Sequence, residues 1–520
     1  MTASIEDRVD VIVIGAGLAG IAAAHALGSQ HPDKSFLVLD AYEGHGGTWR
    51  SHRYPGVRSD SDLFTYGFRF KPWTGAPVAS GAEILDYMRE AIEEYGLEEH
   101  FRYQTRVTRA DWDSVASLWH IEGVHGPEEA AFRTSCSFLW MCQGYYRHSR
   151  GYTPDWPVLA SFEGRIIHPQ HWPEGFDYSG KRVIVIGSGA TAATLVPAMA
   201  RKAAHVTMLQ RSPTYFSVAP NRHPLAETLR ELKVDDAIVH DIVRRKITYD
   251  HDAYFHHIRS HPERAKAELI AALPAWLSKA EVEKHFTPAY YPWQQRLALT
   301  PDGDLFQAIR DGKATVVTDT IEKITPSGIQ LTSGDALDAD IIVTATGFEL
   351  CMDGDIDFSL NGTPFRFEDT VSYRGIMFTS VPNLARSIGY LRLSSWTLRC
   401  ELIADFVCRM LATLDRVGAQ SIEVREPQSR TGRRPSKGEV LPFTASYARR
   451  GKSTLPMTGP TPEWEAQDYW DEKDSLPAID FTAETFVLRG LDGQKVDSAK
   501  VAARPMSGSR TRPAIETGAA

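Results

Sequence analysis

The chain has 520 residues, of which 42% are hydrophobic and 24% charged, the balance of a soluble globular protein too long for one ordinary core; two or three domains of roughly 100 to 200 residues each are expected. A formal net charge of −9 provides no basic field for a phosphate backbone, which argues against nucleic-acid binding and for small-molecule chemistry. Cys136, Cys142, Cys351, Cys400 and Cys408 lack metal-ligand spacing and read as reduced core thiols; the acidic start at Glu6, Asp7 and Asp10 is unlike a secretory signal, and no stretch reaches the ~20 apolar residues of a membrane span, so a cytoplasmic protein is expected, with loose membrane association left open.

The first predicted element, Val9–Ile14, is a run of β-branched residues typical of a parallel strand buried on both faces. Gly15-Ala16-Gly17-Leu18-Ala19-Gly20 follows, then an Ala-rich helix over 21–27 and a second strand over 35–39 that ends at Asp40, completing a βαβ unit. The pattern recurs as a strand over 181–186, the loop Gly187-Ser188-Gly189-Ala190-Thr191-Ala192, a helix through Met199 and a strand over 205–209. Between about 221 and 292 the sequence becomes helical, charged and His-rich, which predicts an insertion within the second domain. Strands return over 314–318 and 340–345, the latter placed in the first domain, and the last stretch is Ala/Gly/Ser/Arg-rich with little to bury.

An isolated GxGxxG is weak, but here each copy lies between a strand and a helix. Gly15 permits the tight turn, Gly17 the approach of a pyrophosphate and Gly20 close helix packing, while the helix N-terminus offers free N–H groups. Asp40 suits the hydroxyls of an unphosphorylated ribose, as in FAD. The second unit instead runs into Arg211 and Ser212, a guanidinium and a hydroxyl where a 2′-phosphate would sit, which favours NADPH; the plainer reading of Arg211 is a solvated surface residue. A chain that holds both can pass hydride to a flavin. No cysteine pair has the spacing of a disulfide reductase, so molecular oxygen is the favoured acceptor.

Between the two loops stand Phe162, Gly164, His168, Trp172 and Pro173, spaced as FxGxxxHxxxW followed by Pro. This segment resembles the fingerprint of the Baeyer-Villiger monooxygenases, class B flavoproteins; relatives that oxidise amines and sulfides usually have Tyr or Phe where Trp172 stands. Gly46-Gly47-Thr48-Trp49, Arg53-Tyr54-Pro55-Gly56-Val57-Arg58-Ser59-Asp60 and Ala345-Thr346-Gly347-Phe348 are similar too, and the likeness, greatest to the ethionamide-activating type, spans about residues 8 to 410. Asp40 departs from that type's longer Glu, and the stretch after Glu423 matches poorly.

The resemblance implies a C4a-peroxide of reduced flavin that attacks a ketone carbonyl, followed by carbon migration to an ester or lactone. It assigns Arg296 to hold the developing negative charge and Asp60 to orient that arginine near the flavin; the plainer readings are an interdomain salt bridge and a turn or cap aspartate. Arg58 and Ser59 resemble positions that touch the nicotinamide nucleotide; Ala19, Gly47, Thr48, Trp49, Tyr66, Val107 and Trp396 complete the expected cofactor contacts, Trp396 being equally readable as core. His168 and Trp172 are expected to couple cofactor binding to domain movement. No metal is expected.

The fold expected is therefore α/β, with two Rossmann-like dinucleotide-binding domains, for FAD and NADPH, and a helical insertion. Its expected parts are the FAD domain (1–145 and 339–492), the NADPH domain (146–220 and 293–338), the insertion (221–292) and a mobile tail (493–520). The expected substrates are O2 and a small ketone, with sulfides or thioamides also oxidised. An N- or S-monooxygenase, which requires no cation, and a non-catalytic NADPH-sensing flavoprotein are the alternatives.

Overall fold

The computed structural model describes residues 8–156, 159–295, 297–390, 394–427, 450–459, 461, 464–465, 468–490 and 493–496. Its largest element is a nine-stranded sheet in which Val9–Ile14 lies between Phe36–Leu39 and Ala130–Met141, both parallel to it. The apolar run of Val9–Ile14 is explained by this position, since Val11 and Val13 face one core and Ile12 and Ile14 the other. Helices Leu18–Gln30, Gly81–Glu94 and Trp396–Val417 cover the first face, whereas the core on the second takes in side chains of Thr105–Asp113 and Leu118–His125, antiparallel strands of the same sheet. Strand Leu384–Arg386 pairs with Ala130–Met141 on its free side, in register Arg386 to Met141.

The second sheet has five parallel strands in the order Ala314–Thr318, His205–Gln210, Arg182–Ile186, Ile341–Thr344, Arg165–Ile167. One expected boundary is thereby corrected. The strand near 340–345 was assigned to the returning FAD domain, yet Val343 pairs with Val185 on one side and Ile167 on the other, inside the second sheet. The chain crosses back only at Phe348–Leu350, which pairs antiparallel with the outgoing strand Tyr146–Gly151. These two crossings form the joint between the domains.

The insertion is helical as expected, with helices Pro224–Glu231, Asp236–Ser260, Pro262–Ala271 and Lys279–His285. It does not sit within the second domain alone. Val239, Val243 and Ile247 enter the core of the first domain, while Leu273, Leu277, Val282 and Phe286 enter that of the second. The attachment to the first domain is reinforced by buried Arg244, which donates to Glu401 at 2.7 Å and to the carbonyls of Phe64 (2.9 Å) and Gly67 (2.8 Å). A pair so enclosed is costly to break from one side, about 3 to 5 kcal/mol.

The expected bound of the tail at 493 is also corrected. Strand Phe486–Arg489 pairs with Ser421–Val424, and the Val496 N–H donates to the Leu488 carbonyl at 2.9 Å, so residues 493–496 are joined to the first domain. Residues 497–520 lie outside the described residues.

Candidate active site

The carboxyl edges of both sheets carry the Gly-rich loops. Gly15 has φ +105°, and a Cβ there would lie 2.7 Å from the Cys142 carbonyl oxygen; one on Gly20 would lie 1.8 Å from the Gly15 oxygen. Larger residues would separate the strand from helix Leu18–Gln30. That helix starts at Gly17 without a side-chain cap, so the N–H groups of its first turn, including those of Ala19 and Gly20, have no side chain to bind. A Cβ on Gly47 would come within 3.2 Å of the Gly17 Cα, so the second loop, Gly46 to Trp49, closes directly on the first. This glycine-lined cradle, with free helix N–H groups and a carboxylate beside it, fits a dinucleotide pyrophosphate.

Asp40 is 7% exposed and accepts the N–H of Ala16 at 2.6 Å and of Tyr42 at 2.8 Å, one on each carboxylate oxygen. It therefore ties the loop to the second strand, and each oxygen keeps a lone pair for a ribose hydroxyl. Burial pushes its carboxyl above the usual range, against the two N–H bonds. Trp49 donates its indole N–H to the Tyr66 hydroxyl at 3.0 Å, and Thr397 donates to the Tyr66 carbonyl at 2.5 Å, so Thr48–Ser51, Leu63–Tyr66 and the start of Trp396–Val417 converge. Trp396 stacks on Tyr145 with ring centres 5.3 Å apart. Val107 is 6% exposed and turns its side chain into the second-face core, so it offers a cofactor only its backbone.

At the second loop Gly187 has φ +129°, and a Cβ would lie 2.3 Å from the Ala345 oxygen. Gly189 caps helix Ala190–Met199, and a Cβ there would meet nothing within 4 Å, leaving open space before the helix N-terminus. Ser188 is hydrogen-bonded to Thr214 at 2.8 Å. Ala192 is buried, while Arg211 and Ser212 are exposed beyond strand His205–Gln210. Arg211 has no ion-pair partner among the described residues, as a guanidinium kept for a ligand phosphate would.

The segment 54–60 crosses from the first cradle to the second. Burial pushes the Tyr54 phenol up to about 12, while a hydrogen bond to Thr191 lowers it and the charges of Asp60 and Arg58 oppose one another. These four residues therefore share one locale at the domain interface. Arg58 forms two hydrogen bonds to Asp304, at 2.5 and 3.2 Å, in the first turn of helix Asp304–Arg310 of the second domain. Ser59 is 3% exposed, gives its N–H to the Ala79 carbonyl at 2.9 Å and accepts the Ala79 N–H at 3.3 Å. It is held by this bridge to the Ala79 backbone. Asp304 was missed because an acid at a helix start reads as a capping residue. Arg296 lies outside the described residues.

The fingerprint residues meet at the joint. Gly164 is required because a Cβ would lie 2.4 Å from the Asp340 oxygen, and Phe162 packs with Ile184 and Ile342 beneath the second sheet. The His168 Nδ1 accepts the Gln170 N–H at 3.2 Å, which leaves Nε2 protonated and donating to the Gly347 carbonyl at 3.1 Å. That carbonyl also accepts the Tyr152 N–H at 3.0 Å, and the His168 ring lies against Gly151, where a Cβ would stand 1.9 Å away. His168 thus clasps both crossings, and burial lowers its pKa, keeping it neutral. Trp172 packs on the second core, edge to face with Phe176 at 6.0 Å, and Pro173 accepts the Phe176 N–H at 3.4 Å.

Two dinucleotide cradles facing one joint define a two-domain flavoprotein that can bring a second nucleotide to its flavin. The NAD(P)-binding Rossmann-like domain profile matches residues 13–77, and the flavin-binding monooxygenase-like profile residues 78–221. The chain is 43% identical over 463 residues to the FAD-containing monooxygenase EthA of Mycobacterium tuberculosis, covering 88% of this chain and 93% of that one. It is 39% identical over 465 residues to the probable FAD-binding monooxygenase AlmA of Acinetobacter baylyi, covering 88% and 92%. The chain belongs to the FAD-containing monooxygenases. In fold it is similar to an oxidised steroid monooxygenase bound to NADP, with a TM-score of 0.73 and 23% identity over 93% of this chain and all (100%) of that one. Among the described residues no helix is long and apolar enough to cross a membrane.

Proposed function

We propose that this FAD-containing monooxygenase uses NADPH and O2 to insert one oxygen atom beside a ketone carbonyl, giving an ester or lactone, and that it also oxidises sulfides or thioamides. The observation that carries the reading is the complete fingerprint at the joint: His168 clasps both crossings, and Trp172 stands where amine- and sulfide-oxidising relatives usually have Tyr or Phe. FAD, reduced by NADPH, supplies the activated oxygen. The chain's own residues orient and stabilise. Arg211 and Ser212 bind the 2′-phosphate, Gly187 to Ala192 the pyrophosphate, and Arg58, Asp60 and Tyr54 sit between the two nucleotides. Tyr145, Leu350, Met352, Ile388 and Leu455 form an apolar cluster against Trp396, which suits the hydrocarbon part of a small ketone.

Arg296 is assigned to neutralise the charge that develops on the ketone oxygen. Its removal in Arg296→Ala should lower ester formation by about a hundredfold or more, the effect of deleting one such donor. NADPH should still reduce the flavin, with electrons released as hydrogen peroxide. Arg296→Lys should restore little, because a point charge does not reproduce the planar fork. The assay is NADPH consumption with linear ketones, cyclic ketones and sulfides, with products identified by mass spectrometry. Sulfoxide without any ester from the wild type would establish the S-monooxygenase alternative, and ester at near wild-type yield from the Ala variant would make Arg296 structural.

A further inference from the structure

Arg386 ends strand Leu384–Arg386 and is 1% exposed, yet among the described residues it forms no ion pair. Its Nη1 reaches only the Met352 carbonyl, at a long 3.4 Å; its Nε has no partner; and its guanidinium carbon lies 5.0 Å over the Phe378 ring. The neighbouring buried cation, Arg399, is matched by Glu472 at 2.7 Å. Arg386 has no such match. An arginine remains protonated, and burying an unpaired charge costs far more than one long hydrogen bond returns. Burial lowers its pKa to about 9, with Arg399 adding to the effect and the charge of exposed Asp353 opposing it, and a group at that value still carries its charge near neutrality.

The position of this charge in the sheet indicates what balances it. Arg386 pairs with Met141, and Met141 with Ile14, the residue before Gly15. Two strand spacings, about 10 Å, thus separate it from the strand that feeds the first cradle. Gln143 links them. Its Cα lies 2.8 Å from where a Cβ on Gly15 would stand, its Nε2 donates to the same Met352 carbonyl at 3.2 Å, and its Oε1 is buried without a partner.

We propose that Arg386 is a buried counter-charge for the diphosphate of FAD: the cofactor brings to the carboxyl edge of the sheet a negative charge that no described carboxylate supplies in contact with the guanidinium. At an effective dielectric near 20, a phosphate charge about 10 Å from the guanidinium would change affinity by about tenfold, and two such charges by about a hundredfold. Arg386 is on this view a positioning residue for the cofactor, acting through the field and not by contact.

Arg386→Met removes the charge and keeps an unbranched chain. It should weaken FAD by about tenfold to a hundredfold while leaving the apoprotein as stable as wild type or more so, because the unpaired cation is gone. The dissociation constant of ADP should rise by a similar factor, and that of adenosine, which has no phosphate, should stay the same. Fluorescence titration of apoprotein with FAD, with ADP or adenosine as competitor, reads the affinities, and thermal unfolding of apo and holo forms reads stability. Unchanged FAD affinity with a less stable apoprotein would make Arg386 a packing residue and overturn the proposal, as would equal losses for ADP and adenosine. Should Arg386→Met not fold, Arg386→Lys decides: FAD affinity within about threefold of wild type supports the counter-charge, since the charge acts at long range, and a loss beyond tenfold overturns it.

Discussion

At the scale of single residues, the two cradles differ most where the second strand of each βαβ unit ends. Asp40 is buried and bonded to the backbone on both sides, whereas Arg211 extends from the same place in the second unit, exposed and unpaired among the described residues. An acid at the first site would repel a 2′-phosphate, and a guanidinium at the second attracts one. Arg211→Ala should therefore weaken NADPH by about 1.5 to 3 kcal/mol, roughly tenfold to 150-fold, and leave NADH nearly unchanged. Steady-state KM values for the two coenzymes test this directly, and equal losses would reduce Arg211 to a surface residue. The place of Arg211 is legible in the sequence because a Rossmann unit fixes which residue follows its second strand. The burial of Ser59 is not, because it depends on a non-local bridge to the Ala79 backbone.

At the scale of elements, the paired crossings Tyr146–Gly151 and Phe348–Leu350 concentrate the neutral histidines of the joint. His52, whose Nδ1 donates to the Thr48 carbonyl at 2.9 Å, lies edge-on to Phe348 at 5.4 Å, and His168 lies 6.2 Å from the same ring. Burial lowers the His52 pKa to about 4, against the hydrogen bond to Thr48, and burial lowers that of His168 too. Because these folded-state values lie below the ordinary 6.5, the unfolded chain binds more protons between about pH 6.5 and 4. Stability is then full above 6.5 and is lost as pH falls through that window, by about 3 kcal/mol at most for His52. His52→Asn keeps a donor for Thr48 and should flatten the slope of stability against pH by about 1.4 kcal/mol per unit. Urea midpoints at pH 7, 6 and 5 measure it, and an unchanged slope would show that His52 titrates normally. The strands and Gly-rich loops of this joint are local patterns, which is why the sequence reveals them. Which sheet takes Ile341–Thr344 is not local: an apolar run fits either sheet, and only its pairing with Val183–Ile186 decides.

At the scale of the whole molecule, the contacts that hold the domains together include, among the described residues, the clasped crossings, the insertion that enters both cores, and the Arg58–Asp304 pair. The first two are apolar or enclosed and resist change, whereas the third is about one-fifth exposed on each side chain, 18% and 21%, and lies beside the nucleotide loops. It is the contact that nucleotide binding can most readily remodel. A bidentate, partly desolvated pair of this kind contributes about 1 to 2 kcal/mol, less than a buried pair and more than a surface one. Asp304→Asn should therefore leave the fold and FAD content intact but loosen the alignment of the two cradles, so that several-fold more of the NADPH electrons escape as hydrogen peroxide. Arg58→Met should do the same. If the two residues act as one latch, the double variant should be no worse than either single one, a coupling energy of about 1 to 2 kcal/mol in the cycle. The ratio of peroxide to NADPH consumed, measured for all four proteins, gives that coupling. Additive effects would mean that Arg58 contacts the nucleotide independently of Asp304, as the family resemblance alone implies.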